Sequence, residues 1–281
     1  MLNERYNNKD AMRLVLDKSY LQSSSREKIH ELCTNHCVIM PEVLLMEILT
    51  TEKKEEMKSC LTKFPTTDDP IAVIPTVGCL MRYEIYNHHP CHPIESFFLK
   101  GPLYINPKLF DGSFVFTEEQ TETLKNWEGK VIEDCRRFIE KAVLSESWFP
   151  EIGDYKPGMP IDGIELAVEK ITSDSDFIKS VYEQIYDEIT KIRDEKWPNA
   201  SIIDDTWILY RYHQMHLLSS VQYIKKYGKR IISDIAKYII NYRLDVDYCV
   251  IGSLVDGLLT KDNEMACLYT LLCPDKCLIK E

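Results

Sequence analysis

The chain has 281 residues, with 34 Lys and Arg against 45 Asp and Glu, which gives a formal charge of −11. Apolar residues at 44% and charged residues at 28% exclude a chain that is disordered as a whole. The length suits one large domain with an insertion, or two domains. The acidic total argues against a generally basic coat on nucleic acid, yet it is compatible with a nucleic-acid enzyme whose basic patch is local.

Targeting signals are not visible in the sequence. Residues 1–10 carry several charges and no apolar segment, which predicts no signal peptide. No run of about 18 apolar residues occurs, so no membrane-spanning helix is expected. The ten cysteines have irregular spacings, and we interpret them as thiols in a reducing compartment. We therefore expect a cytoplasmic protein without a membrane partner.

The first predicted elements alternate between strand and helix. A buried strand is expected at 13–17, a helix at 23–36 and a second strand at 37–40. Pro41 is expected to open a helix that runs through Glu47 towards Lys54, because proline suits the first helical position. This alternation predicts an α/β fold with a parallel sheet flanked by helices.

The middle of the chain has a different pattern. Residues 63–112 are rich in Pro, His and Gly and predict loops with short extended pieces. Helical periodicity follows at 117–148 and 162–196, with a break at 151–160. A long helix is predicted at 204–227, with Asp204 or Asp205 as a candidate cap.

The last fifty residues return to the alternating pattern. Helices are predicted at 233–242, 246–255 and 263–272, and strands at 257–260 and 277–279. Residues 1–55 and 231–281 are therefore predicted to be two halves of one sheet domain. Residues 56–230 are predicted to be a large insertion, loop-rich at first and then mostly helical.

Four acidic residues stand near the predicted sheet elements: Asp17, Glu47, Asp245 and Asp262. Ligands of open parallel sheets bind at the carboxyl ends of the strands, where Asp17 and Asp262 are expected. Carboxylates that converge there repel one another unless they share a cation, and Mg²⁺ or Mn²⁺ suits such oxygen ligands. Taken singly, each acid could equally be a helix cap or a solvated surface residue.

Three segments resemble the PIN-like nucleases. The first is RLVLDKS at 13–19, a strand that ends in an acidic residue; its Lys18-Ser19 departs from the Thr/Ser and Asn usual at this place. The second is VIMPEVLLME at 38–47, a strand, a proline and a hydrophobic run before a glutamate. The third runs from DVDY at 245–248 to DGLLTKD at 256–262 and resembles the closing signature of the family.

The resemblance implies a function for these residues. Asp17, Glu47, Asp245 and Asp262 would hold Mg²⁺ or Mn²⁺, Asp247 and Asp256 would substitute for them or support them, and Thr260 would orient water or phosphate. The implied activity is that of a metal-dependent endonuclease, in which the ions activate water to hydrolyse phosphodiester bonds. RNA is expected as substrate more than DNA, because RNA is the commonest substrate of the family.

Charge is distributed unevenly along the chain. Residues 151–210 contain 14 acids and six bases, whereas 211–243 contain seven bases and one acid. The basic segment supplies the candidate substrate-binding residues, which are Arg211, Lys225, Lys226, Lys229 and Arg230. Tyr223 and Tyr227 lie between them and could stack on unpaired bases. Alternatively, these cations complement a helix C-terminus, and Arg211 pairs with a neighbouring acid.

Three groups of cysteine and histidine could be considered as other metal sites. They are Cys33, His36 and Cys37; His88, His89, Cys91 and His92; and Cys273 with Cys277, beside which the pair His213 and His216 is a further possibility. None has the paired spacing of a structural zinc site, and ordinary packing is the favoured interpretation. Among the three groups, the loop at 88–92 is the best candidate.

Two other classes of function stay open at this point. The chain could be a catalytically silent PIN-like binding or scaffold protein, which the Lys18-Ser19 departure and the acidic insertion would favour. It could also be a toxin or antiphage effector that waits for a trigger. In either case the acidic helical insertion could bind a protein regulator or form an oligomer.

Overall fold

A computed structural model of the chain describes residues 11–51, 54–66, 70–99, 115–123, 126, 148–190, 196–228 and 235–281. The chain forms two compact units. The first contains Met1–Val77, Pro93–Trp127 and Asp247–Glu281, and the second contains Gly78–His92 and Glu128–Val246. The first unit therefore joins the two ends of the chain, as the predicted sheet domain does, but it also takes in residues that were assigned to the insertion.

The first unit is built on a five-stranded sheet. Its strands are β1 (Arg13–Leu16), β2 (Cys37–Pro41), β3 (Ala72–Ile74), β4 (Gly257–Leu259) and β5 (Cys277–Ile279). They are all parallel and lie in the order β3-β2-β1-β4-β5. The predicted parallel α/β class is confirmed. A PIN-like fold within that class stays a prediction.

The central strands are buried on both faces. Leu14, Val15 and Leu16 are completely buried in β1, which is typical of a parallel sheet covered by helices. In β4, a side chain at Gly257 would lie 2.5 Å from the carbonyl oxygen of Cys277 in β5. Glycine is thus required for the close approach of these two strands.

Helices that belong to the first unit are α1 (Lys18–Ser23), α2 (Arg26–Asn35), α3 (Glu42–Leu49), α4 (Lys54–Leu61) and α10 (Asn263–Leu272). Ser25 caps α2, since its side chain accepts a hydrogen bond from the amide of Lys28. The short helix α1 was not predicted. Pro41 does not open α3; it ends β2 in an extended conformation and is the N-cap residue of α3.

Helices of the second unit include α6 (Asp162–Ser173), α7 (Ser175–Thr190) and α8 (Ile208–Tyr227). The single helix predicted over 162–196 is divided at Asp174, whose carboxylate accepts a hydrogen bond from Phe177. The chain also forms α5 (Val77–Asn87) and α9 (Ile235–Ser253), and the boundary between the units falls within each of these helices.

Two predictions for the middle and end of the chain are wrong. Residues 63–112 were expected to be loops with short extended pieces; the short strand β3 fits that prediction, but the helix α5 does not. The two helices expected at 233–242 and 246–255 are one continuous helix, α9, so Asp245 lies inside a helix and not at its start. Most of the helix predicted at 117–148 lies outside the described residues. Within the described part of this range, residues 118–123 are helical.

A buried carboxylate anchors the start of α8. Glu84 of α5 is completely buried and accepts hydrogen bonds from the amides of Cys91, Ile208 and Leu209, each at 2.9 Å. Burial raises the pKa of Glu84 to about 7, although the three amides act in the opposite direction. The cap of α8 is therefore Glu84 from a distant helix, and not Asp204 or Asp205 as predicted.

None of the helices in the described residues combines the length and the apolar character that crossing a membrane requires.

Candidate functional site

The segments that follow β1 and β4 lie where the order of the strands in the sheet reverses. The chain builds outward from β1 through β2 to β3 on one side, and from β4 to β5 on the other. The order therefore reverses between β1 and β4, and open α/β sheets bind ligands outside the carboxyl ends of the strands at such a point. Asp17 directly follows β1, and Thr260 directly follows β4.

Asp17 and Thr260 are in direct contact at this edge. Thr260 donates a hydrogen bond from its hydroxyl to Asp17 Oδ2 at 2.8 Å, and both residues are buried. The same carboxylate oxygen accepts hydrogen bonds from the amide of Ser19, at 3.2 Å, and from the Ser19 hydroxyl. Asp17 is thereby also the N-cap of α1.

Ser19 and Thr260 also hold the segment that follows β4. Ser19 Oγ accepts hydrogen bonds from the amides of Lys261 (2.9 Å) and Asp262 (3.1 Å), and Thr260 Oγ1 accepts one from Asp262 at 3.0 Å. The Asp262 carboxylate points along the chain instead, because its Oδ1 accepts hydrogen bonds from the amides of Glu264 and Met265. Asp262 is exposed and is the N-cap of α10.

Glu47 of α3 is the second carboxylate near this point. Its Oε2 accepts a hydrogen bond from the Tyr248 hydroxyl at 2.7 Å, and its Oε1 lies 3.5 Å from Lys18 Nζ. Lys18 also donates to the backbone oxygen of Glu47 at 3.3 Å. Lys18 directly follows Asp17 in the chain, and its ammonium group thus joins the segment after β1 to Glu47.

Burial is the main influence on the pKa values of Asp17 and Glu47. It raises the pKa of Asp17, while hydrogen bonds from Ser19 and Thr260 lower that pKa in part. Burial also raises the pKa of Glu47; Lys18 and Tyr248 oppose that change, and the charge of Asp17 adds to it. The two acids are thus close enough to repel each other electrostatically, which is the situation that a shared cation relieves.

Asp256 lies at the opposite edge of the sheet. It directly precedes β4, and its carboxylate accepts hydrogen bonds at 2.8 Å from the amide and the guanidinium of Arg13, the first residue of β1. Arg13 also pairs with Glu95. Burial would raise the pKa of Asp256, but the bonds and charge of Arg13 outweigh it and lower that pKa. Asp256 is therefore not brought together with Asp17, and its predicted place in a metal site does not fit this position.

The two predicted acids of α9 have different positions. Asp247 belongs to the first unit, is buried and directly precedes Tyr248. Asp245 belongs to the second unit and is partly exposed.

The predicted substrate-binding residues lie mainly on α8. Lys225 and Lys226 are exposed in its last turn, whereas Lys229 and Arg230 lie outside the described residues. Arg211 pairs with Asp205 at 3.0 Å, as its alternative interpretation predicts, and also donates to Gln214. It lines a small cavity of about 270 Å³ in the second unit, which is also lined by Lys179 and Asp204.

The histidine groups do not form a metal site in the described residues. Cys91 is buried and donates to the backbone oxygen of Leu80, and His88 contacts the backbone oxygen of Lys196. His213 is buried, with Nδ1 2.6 Å from the oxygen of Leu209, and burial lowers its pKa. More generally, no group of three or more His, Cys, Asp or Glu residues is arranged to hold a metal within the described ranges.

Three residues of this arrangement receive no role from the sequence. Tyr248 is only part of a motif there, and Lys18 and Ser19 are only a departure from one. The direct succession of Asp17, Lys18 and Ser19 after a strand was the available signal for two of them. Nothing in the sequence indicates that Tyr248 reaches a glutamate 201 positions away.

The chain was also compared with known proteins. No protein-family model, no curated protein and no solved structure matches it.

Proposed function

We propose that the chain is a metal-dependent endonuclease that hydrolyses phosphodiester bonds at the edge formed by Asp17, Glu47 and Thr260. The observation that carries the proposal is the contact of Asp17 with Thr260 at the carboxyl ends of β1 and β4, where the strand order reverses. A second carboxylate, Glu47, and a lysine, Lys18, stand beside that contact.

The residues at this edge are compatible with a divalent metal ion. Asp17 and Glu47 offer carboxylate oxygens, and Thr260 and Ser19 offer hydroxyl oxygens, which are the ligand types that Mg²⁺ and Mn²⁺ prefer. Two carboxylates are also enough, because Mg²⁺ is commonly held by one or two carboxylates together with substrate phosphates. A bound metal ion would supply the activation of water and the stabilisation of charge on the phosphate.

The chain's own residues would then have distinct tasks. Asp17 and Glu47 hold the ion, and Tyr248 fixes the orientation of the Glu47 carboxylate. Thr260 and Ser19 hold Asp17 in place through hydrogen bonds to Oδ2. Lys18 balances the negative charge of Glu47 in the free protein and would contact a phosphate when substrate arrives.

RNA is the proposed substrate, on the strength of the resemblance to PIN-like nucleases. The exposed Lys225 and Lys226 give the second unit a basic segment for the phosphate backbone. The cytoplasm is the proposed location, because the nine described cysteines are thiols and thiols persist in reducing compartments. The acidic helices at 151–190 are a candidate surface for a protein regulator.

A catalytically silent binding or scaffold protein is the second candidate. Asp262 is engaged as a helix cap, Asp256 is paired with Arg13, and Lys18 already neutralises Glu47. Each of these interactions gives the acids a structural task without any metal ion. A scaffold protein would keep its fold when Asp17 is changed, and it would have no catalytic activity to lose.

A cleavage assay separates the two candidates. Labelled single-stranded RNA is incubated with Mn²⁺ and the wild-type chain, Asp17→Asn, Glu47→Gln, or the control Asp256→Asn at the opposite edge. The proposal predicts cleavage by wild type and Asp256→Asn, with products that carry 5′-phosphate and 3′-hydroxyl ends, and at least about a hundredfold loss for the other two variants. Absence of cleavage by wild type, or equal cleavage by Asp17→Asn, contradicts it.

A further inference from the structure

A second cavity lies in the second unit, at the end of α8. Its volume is about 620 Å³, which falls within the range of about 300–1,000 Å³ typical of small-molecule sites. The loop that follows the short helical turn Pro150–Ile152 forms one side, and the end of α8 forms the other. We call this cavity the tyrosine groove; among the described residues, it is lined by residues 153–157, Tyr227 and Gly228.

A glycine allows the two sides of the groove to meet. Gly228 ends α8 with φ of +67°, a conformation that side chains rarely adopt. A side chain added there would begin 3.1 Å from Pro157 Cδ. Gly228 therefore permits the close approach of the loop to the end of α8, which forms the groove.

Two aromatic rings face the groove. Tyr155 and Tyr227 are each partly buried and line its opposite sides. The buried Tyr223 lies one helical turn before Tyr227, with ring centroids 5.1 Å apart, and supports that ring from within the protein. Rigid aromatic rings with one side open to a cavity are suited to stacking on planar ligands.

The exposed charges around the rings are mostly positive. Lys156 lines the groove from the loop, and Lys226 is in the last turn of α8; both are exposed. Lys226 Nζ lies 5.4 Å from the centroid of the Tyr227 ring. Asp154 is the acid that faces the groove among the described residues. This arrangement of rings and ammonium groups complements a ligand that has both planar groups and negative charge.

From these observations we infer that the tyrosine groove binds single-stranded nucleic acid. Bases stack on Tyr155 and Tyr227, and the phosphates between them contact Lys156 and Lys226. A duplex cannot use the rings in this way, because its bases are already stacked on one another. The inference rests on the proposed action on nucleic acid and names the substrate class as single-stranded.

Binding without metal tests the groove separately from cleavage. We would measure the fluorescence anisotropy of a labelled single-stranded RNA of about 16 nucleotides, and of the corresponding duplex, in EDTA. The variants are Tyr155→Leu, Tyr227→Leu and the conservative Tyr227→Phe. The matched control is Tyr86→Leu, a tyrosine of α5 that is 68% exposed and outside the groove. Lys156→Gln and Lys226→Gln are compared with Lys196→Gln, which is also exposed.

Each leucine variant is expected to raise the Kd for the single strand about fivefold to hundredfold, whereas Tyr227→Phe and Tyr86→Leu keep it. Each groove lysine removed should also lower the salt dependence of log Kd by about one unit, and Lys196→Gln should not. Equal binding by wild type and both leucine variants, or tighter binding of duplex, overturns the inference. So does binding of an acidic peptide in place of RNA.

The outcome also separates this inference from the proposed function. Asp17→Asn should bind the single strand as tightly as wild type in EDTA, because Asp17 does not line the groove. Binding that depends on the tyrosines in a chain that never cleaves would uphold the groove and reject the nuclease. Cleavage by a chain whose RNA binding does not depend on the tyrosines would uphold the nuclease and reject the groove.

Discussion

The Thr260 hydroxyl donates a hydrogen bond to Asp17 Oδ2 at 2.8 Å, although the two residues are 243 positions apart in the chain. The contact exists because β1 and β4 are neighbouring parallel strands, with Leu16 in register with Leu259. A buried carboxylate at this place costs stability, since burial raises the pKa of Asp17. That cost is expected where a site is built for a ligand.

Asp17→Asn should therefore separate stability from activity. The amide has the shape of the carboxylate but no charge, so the free energy of unfolding at neutral pH should stay equal or rise by about 1 kcal/mol. Cleavage with Mn²⁺ should fall at least about a hundredfold. Urea denaturation and the RNA assay measure the two effects, and a large loss of stability would show that Asp17 is chiefly structural.

Thr260→Val should destabilise the chain. It keeps the size of the side chain but removes the donor to Asp17 and the acceptor for the Asp262 amide. A loss of about 1–3 kcal/mol in the free energy of unfolding is expected, because a buried acid is left with fewer partners. Thr260→Ser retains the hydroxyl and is the control. If the two variants are equally stable by urea denaturation, the hydroxyl is not important.

Lys18→Met should make the thermal stability of the chain more dependent on bound metal. Without the ammonium group, the negative charges of Asp17 and Glu47 face each other uncompensated. The Tm should fall in EDTA, and added Mn²⁺ should restore it by a larger shift than in wild type, since binding to the folded state stabilises it. Lys18→Arg keeps the charge and should behave as wild type. Thermal scans that show no Mn²⁺ shift in Lys18→Met would contradict this prediction.

Stability should depend on pH through Glu84. Its folded-state pKa is about 7 against an ordinary value of 4.5, so the folded chain binds the extra proton between these values. The free energy of unfolding should therefore fall as pH rises from about 4.5 to about 7, by up to about 3 kcal/mol. Glu84→Gln should remove this slope, because the amide does not titrate. Urea denaturation across that pH range measures it, and an unchanged slope in Glu84→Gln would assign the effect to other groups.

Four of the five described strands and several helices could be predicted because their signals are local. The apolar run before Asp17, the serine cap before Arg26 and the acidic cap Asp262 all act within a few residues of the element that they define. The end of the chain was predicted well for the same reason: α10 spans Asn263–Leu272 and β5 spans Cys277–Ile279, as expected.

The features that were missed depend on distant contacts. α8 begins at Ile208 because Glu84, more than 120 positions earlier, accepts hydrogen bonds from its first amides. β3 is only three residues long, and its strand conformation depends on pairing with β2. In the candidate site, Asp17 could be placed from its strand alone. The position of Asp256 could not, because its pairing with Arg13 is a property of the folded sheet.

The most direct measurement is the anomalous diffraction of crystals soaked in Mn²⁺, for the wild-type chain and for Asp17→Asn. The nuclease proposal predicts a peak in the wild-type crystals at coordination distance, about 2.0–2.6 Å, from carboxylate oxygens of Asp17 and Glu47. The peak should be absent in Asp17→Asn. A wild-type crystal without a peak at this edge, or a peak that persists unchanged in the variant, would contradict a metal site there.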